Sequence, residues 1–179
     1  MTTHIALLRA INVGGNRKVP MAQLRELLEA DGFERVRTYI QSGNVLVDCD
    51  DEPATVADRI ERLLLDEFGF EVPTVVRSRD ELAAVVEADP FGDLVDNEKF
   101  YTVSFYSQAP DPAPFDELDA DQFAPERFEL RHRELYAWMP AGQARSPMTQ
   151  HLGRARFAPK TGTARNWRTI LKLLAMCDE

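Results

Sequence analysis

Apolar and polar positions switch between two periods along this chain, and the switches divide it into elements. Ile5 to Val13 is apolar apart from Arg9 and Asn12, and reads as a buried central strand. Met21, Leu24, Leu27 and Leu28 recur at helical spacing, which predicts a helix over about residues 20–31, with Pro20 in its first turn and Gly32 as its stop. Alternation returns at Val36, Thr38 and Ile40, and Asn44 to Asp48 reads as the partner strand across a Gln41-Ser42-Gly43 turn. Val56, Ile60, Leu63, Leu64 and Phe68 mark a second helix ending at Gly69, and a short strand follows near Val72 to Arg77, where Pro73 confines it to a sheet edge. The order β-α-β-β-α-β is the split arrangement called ferredoxin-like, in which the fourth strand does lie at an edge.

A second group of elements follows. Ser78 and Glu81 form a capping box for a helix carrying Leu82, Val85 and Val86, which Pro90 ends. Phe100 to Tyr106 has strand composition, Pro110, Pro112 and Pro114 form a stiff linker, and Phe115 and Leu118 predict a short helix. Glu126 to Arg131 and Glu134 to Met139 read as a hairpin around His132-Arg133. A polar, basic loop from Pro140 to Lys160 then leads to a helix over about Ala164 to Met176, with Thr163 as N-cap and Trp167, Ile170, Leu171 and Leu174 on its packed face. The expected fold is α+β, two ferredoxin-like (β-α-β-β-α-β type) halves packed together. Residues 1–78 form the first half and 79–179 the second, which carries the basic loop and helix; no clean sequence repeat relates them.

Charge sharpens this picture. The net charge of −9 hides an uneven distribution: residues 1–48 hold six Lys and Arg against five Asp and Glu, residues 49–142 eight against 23, and residues 143–179 seven against two. No carboxylate lies between Glu134 and Asp178, a stretch that contains Arg145, Arg154, Arg156, Lys160, Arg165, Arg168 and Lys172. A basic segment kept on an acidic chain points to an anionic partner, or to neutralisation by the acidic middle of the same chain. The 179 residues, 44% of them hydrophobic, suffice for a core. No apolar run approaches a membrane span and the N-terminus lacks a signal pattern, so a cytoplasmic protein with no membrane partner is expected. Cys49 and Cys177 fit reduced thiols, and neither they nor His4, His132 and His151 have metal-ligand spacing; no metal or cofactor is expected.

The chemistry concentrates in Leu7 to Met21, LLRAINVGGNRKVPM. Gly14 and Gly15 allow positive φ and close backbone approach, and Val19 cannot cap the helix that follows with its side chain. The helix's first N–H groups therefore stay available beside Asn16, Arg17 and Lys18. This is a candidate anion cradle; a solvated turn is the competing reading. Neither the Walker pattern nor GxGxxG is present, which disfavours nucleotide binding by either standard route.

Read together, LLRAINVGGNRKVPM, TYIQSGNV (Thr38 to Val45) and TARNWRT (Thr163 to Thr169) resemble the signature segments of a bacterial family known as domain of unknown function 1697. The resemblance spans nearly the whole chain. It implies an α+β fold related to a duplicated ferredoxin-like arrangement, and no established activity, substrate or cofactor. Ala10 stands where the family commonly has glycine and Ala164 where it commonly has threonine.

The candidate ligand-binding residues are Arg9, Asn12, Gly14, Gly15, Asn16, Arg17 and Lys18 from the first segment, Gln41, Ser42 and Asn44 from the second, and Arg165, Asn166 and Arg168 from the third. Apart from the glycines they are donors or cations, which suits phosphate or carboxylate recognition. Taken alone, the Gln41–Asn44 stretch is also a simple hairpin turn, and Arg165 and Arg168 are also simple helix-surface charges. Whether a reaction is catalysed stays open: Ser42 is a candidate nucleophile, but the sequence places no histidine or aspartate beside it. Three classes compete. The favoured one is binding, with or without turnover, of a small anionic ligand. The second is a nucleic-acid-binding module using Tyr39, Tyr101, Phe105 and Trp167, opposed by the pI near 4.9. The third is an interaction or assembly module whose polar residues hold the fold together without a ligand. Nothing in the sequence decides the oligomeric state.

Overall fold

The computed structural model describes residues 1–154, 156–157 and 162–179. The chain divides into two compact units, Met1–Ala84 with Leu173–Glu179, and Val85–Lys172. No helix among the described residues is long and apolar enough to cross a membrane.

The first unit contains β1 (Thr2–Leu8), α1 (Met21–Ala30), β2 (Glu34–Tyr39), β3 (Asn44–Cys49), α2 (Pro53–Phe68) and β4 (Thr74–Ser78). Its sheet has the order β2-β3-β1-β4 with every neighbouring pair antiparallel. β1 is thus central and β4 is an edge, as Pro73 requires of a strand it precedes. Alternation along β1 sends Ala6 and Leu8 into one core with Leu24 and Leu28 of α1, Val45 and Val47 of β3, and Val56, Ile60 and Leu64 of α2, all fully buried. Each of the larger side chains contributes on the order of 1.5–3 kcal/mol when removed from water.

β1 ends at Leu8, well before the apolar run does at Val13. Ala10 and Asn12 take φ +53° and +54°, which no strand accommodates, yet Ile11 and Val19 are still buried to 0% and 1% exposure. The apolar character that reads as strand therefore belongs to a loop anchored in the core.

α3 (Arg79–Glu87) starts at the capping box expected from the sequence: Ser78 N donates to Glu81 Oε2 at 2.8 Å and Glu81 N to Ser78 Oγ at 3.2 Å. The division between the units falls inside this helix.

The second unit repeats the topology with β5 (Tyr101–Phe105), α4 (Ala113–Asp116), β6 (Arg127–Arg131), β7 (Glu134–Trp138), α5 (Pro147–Leu152) and β8 (Thr163–Asn166). Its strand order β6-β7-β5-β8, again antiparallel throughout, places each strand as its counterpart lies in the first unit. The chain is α+β in two halves, and the β-α-β-β-α-β order with a split strand arrangement fits the ferredoxin-like pattern in each.

Two local expectations change here. The stretch expected to be loop from Pro140 onward contains α5, started by Ser146, whose Oγ accepts from Thr149 N at 2.9 Å, with Pro147 in the first turn. Its far end, Lys160 included, lies outside the described residues. The final helix, α6, spans Trp167–Cys177 rather than starting at Ala164, because Thr163 to Asn166 pair with β5 as a strand. Asn166 rather than Thr163 is the cap, its Oδ1 accepting from Thr169 N at 2.9 Å.

One buried carboxylate holds the second unit's α5. Glu126 Oε2 accepts from Ser146 Oγ at 3.0 Å and from Met148 N at 3.1 Å, and both Glu126 and Ser146 are buried. Glu126→Ala leaves a hydroxyl and an amide unsatisfied and is expected to cost the second unit about 2–3 kcal/mol. Trp138 and Trp167, the chain's two tryptophans, both lie in this unit, so urea unfolding followed by tryptophan fluorescence reads the loss directly.

Candidate functional site

The loop between β1 and α1 is a small hairpin. Asn12 N donates to Arg17 O at 3.1 Å, Val13 and Asn16 form an antiparallel bridge, and the two central glycines sit at φ +64° and +78°. Positive φ at both central positions is what a type I′ turn demands, and explains why two adjacent glycines stand here.

The stem of this hairpin is stapled by one side chain. Asn12 Oδ1 accepts from Val19 N at 2.9 Å, while Asn12 Nδ2 donates to Val19 O at 3.0 Å and to Gln41 O at 2.9 Å. Both faces of the amide are thus spent on backbone, joining the loop, the start of α1 and the β2–β3 turn. Below it, Leu8 N donates to Gly43 O at 2.8 Å, and Gly43 has φ +84°. A Cβ at Gly43 would come within 2.7 Å of Leu8 Cβ and 3.0 Å of Ile11 Cδ1. In the same turn, Asn44 Nδ2 donates to Tyr39 O and to Ser42 Oγ, both at 3.1 Å.

Between these parts lies a pocket of about 300 Å³ lined by Asn12, Gly15, Lys18, Val19, Pro20, Met21 and Gln41. Pro20, at φ −63° and ψ 127°, is the N-cap of α1 and provides no side-chain hydrogen bond; the first turn carries no acidic residue. The first intrahelical bond is Leu24 N to Pro20 O at 3.0 Å, so the amides of Met21, Ala22 and Gln23 precede it. Lys18 is exposed and, among the described residues, makes no ion pair. Neither residues 1–25 nor residues 35–47 contain a carboxylate, although they carry Arg9, Arg17, Lys18, Arg25, Arg35 and Arg37. Arg35 and Arg37 are paired with Asp48, at 3.3 and 3.9 Å, so the charge carried by the pocket wall is that of Lys18.

Of the residues singled out from sequence, Asn12, Gly15, Lys18 and Gln41 meet at the pocket. Arg17 lies beside the loop with its guanidinium carbon 6.0 Å from the Phe70 ring centroid, and Arg9 is half-buried, its amide donating to Pro73 O at 3.0 Å. Gly14 and Asn16 belong to the turn, and Ser42 and Asn44 organise the β2–β3 connection. Arg165, Asn166 and Arg168 belong to the second unit. There Arg165 is buried, its Nη1 donating to Thr163 Oγ1 and Ala164 O at 2.8 Å each, and burial pushes its guanidinium down to about 10. Asn166 is the cap of α6 and Arg168 is exposed. The lining residues not singled out, Val19, Pro20 and Met21, carry one signal in the sequence, a proline at a helix start.

Three of the four aromatics considered as base-stacking platforms are core residues. Tyr101 and Phe105 are fully buried and Trp167 nearly so, with the Tyr101 and Trp167 rings stacked on each other at a centroid distance of 4.8 Å. Tyr101 also donates from its hydroxyl to Asp89 Oδ1 at 2.6 Å; burial first, and Asp89 second, push the phenol far above its ordinary value.

Fold and site together define a two-unit α+β protein whose first unit presents a carboxylate-free pocket at a helix start. Residues 1–136 match the model of a family described as a protein of unknown function, DUF1697, and the chain belongs to that family. The match ends before the Thr163 to Thr169 segment. Among curated proteins, none matches. A solved structure of a conserved bacterial protein from Streptococcus pneumoniae is similar over 98% of both chains, with a TM-score of 0.78 and 24% identity, a likeness of fold.

Proposed function

We propose that the first unit binds a small anion, a phosphate- or carboxylate-bearing compound, in the pocket between the glycine hairpin, the start of α1 and Gln41. The observation that carries this reading is Lys18 beside an uncapped helix start, in the wall of a pocket of about 300 Å³ that contains no carboxylate. Helix N–H groups and a cation together favour negative charge, and the carbonyls that would oppose an anion, those of Val19 and Gln41, are already engaged by Asn12. Lys18 is the one ionisable side chain in that wall, so binding is proposed and not turnover.

The test is calorimetric titration with inorganic phosphate, acetate and a panel of sugar phosphates, on the parent and on Lys18→Ala. Removing one exposed cation from a charge-assisted contact is expected to weaken binding by about tenfold. The melting temperature without ligand stays the same, since the exposed Lys18 side chain holds no other part of the fold in place. Equal affinity in parent and variant, or no binding of any anion, overturns the proposal.

A further inference from the structure

His4 is the sole histidine of the first unit; His132 and His151 lie in the second. It sits on the central strand, in register with Val47 of β3 and Ser78 of β4, and alternation puts its side chain on the same face as Ala6 and Leu8. Its exposure is 1%, and neither Nδ1 nor Nε2 meets a partner at full hydrogen-bonding geometry, the Asp51 backbone being the polar group that acts on the ring. A neutral imidazole needs one acceptor and a protonated one needs two; the Asp51 backbone acts on the ring as one, and neither nitrogen has a second.

The charged groups around it are Asp48 on β3, Glu52 at the start of α2 and Glu81 in the first turn of α3, with the Asp51 backbone also acting on the ring. All four favour the protonated form, but burial acts more strongly in the opposite direction and holds the imidazole below its ordinary value. Cys49, on the same face of β3 as Val47, is held as a thiol, burial pushing it upward.

We propose that His4 makes the first unit acid-sensitive, a body that loosens when the solution becomes acidic enough to protonate an ordinary imidazole. The sign follows from linkage. In the unfolded chain His4 takes up a proton near pH 6.5, while in the folded unit it stays neutral to lower pH. Stability is therefore flat above that value and is lost as pH falls toward the depressed folded value. The slope approaches tenfold in the folding equilibrium per pH unit, the limit for one proton. Glu61, whose carboxyl is raised chiefly by burial, works in the opposite sense in the same unit, so a His4 variant is the proper reference.

The experiment is urea unfolding of the full chain between pH 7.5 and 5.0, resolved by amide protection factors in β1, β3 and β4, for the parent and for His4→Leu. The parent's first unit should lose protection below pH 6.5, approaching tenfold per unit, and His4→Leu should be flatter by that amount. In parallel, the His4 C2 proton of the parent is followed by NMR, which needs no variant to fold. Its neutral chemical shift should persist below pH 6. Identical slopes in parent and variant, or an imidazole that titrates at or above pH 6.5 with the unit's protection intact, overturn the proposal.

Discussion

Gly43→Ala is expected to destabilise the first unit by about 3 kcal/mol, combining overpacking with the cost of a left-handed L-residue. The added methyl would lie 2.7 Å from Leu8 Cβ, an atom fixed to the central strand, so it cannot be relieved by rotating a side-chain end. The backbone at φ +84° adds its own penalty. Gly14→Ala separates the two terms. Its φ is +64°, but nothing lies within 4 Å of the position a Cβ would take, so only the backbone cost of about 1 kcal/mol remains. Urea unfolding followed by circular dichroism measures both, and equal losses in the two variants would contradict the steric account.

Asn12→Ala is expected to cost about as much, for a different reason. Three hydrogen bonds of 2.9–3.0 Å end on this amide, and its removal leaves Val19 N–H, Val19 C=O and Gln41 C=O to find other partners. At about 1 kcal/mol for each of the two partly buried bonds to Val19 and less for the exposed one to Gln41, with φ +54° adding to the burden on alanine, the loss is about 2–3 kcal/mol. Anion affinity should fall too, because the pocket's two walls are joined through this side chain. Asn12→Asp keeps an acceptor for Val19 N but turns a carboxylate toward two carbonyls, and should be no more stable than the alanine variant. If Asn12 served only to touch a ligand, both variants would melt with the parent in the absence of anion.

The first unit's element order, with its fourth strand at an edge, follows from apolar period and turn residues, since burial of one helix or sheet face dictates where such residues recur; in the second unit α5 and β8 do not, the one lying in a polar, basic stretch and the other in four residues that also suit a helix start. The boundaries were less legible where tertiary structure overrode local pattern. Ile11 and Val13 continue β1's apolar run, but the chain turns left-handed at Ala10 and Asn12, and only the packing of Ile11 reveals why an apolar residue stands in a loop. Thr163 and Asn166 are both good caps, and pairing of Thr163 with Phe105 decided between them. The first two candidate segments, 29 residues apart at Asn12 and Gln41, are joined by a side-chain bond that no one-dimensional pattern encodes. The donor-rich composition singled out this loop, while leaving unstated that Asn12 and Asn44 direct their amides at backbone. Glu126 carried no sequence signal, being one of many carboxylates in an acidic stretch.

Ala10, Arg17 and Ile40 share the left-handed backbone, at φ +53°, +51° and +50°, and Ile40 does so with a branched side chain that remains 52% exposed. Each of these residues costs the fold on the order of 1 kcal/mol that glycine would return. A library randomised across both turns and selected for folding alone would therefore drift toward glycine at these three positions. One selected for binding would resist the drift wherever a side chain meets the ligand. The positions at which the two selections disagree would mark the side chains that the proposed anion site uses.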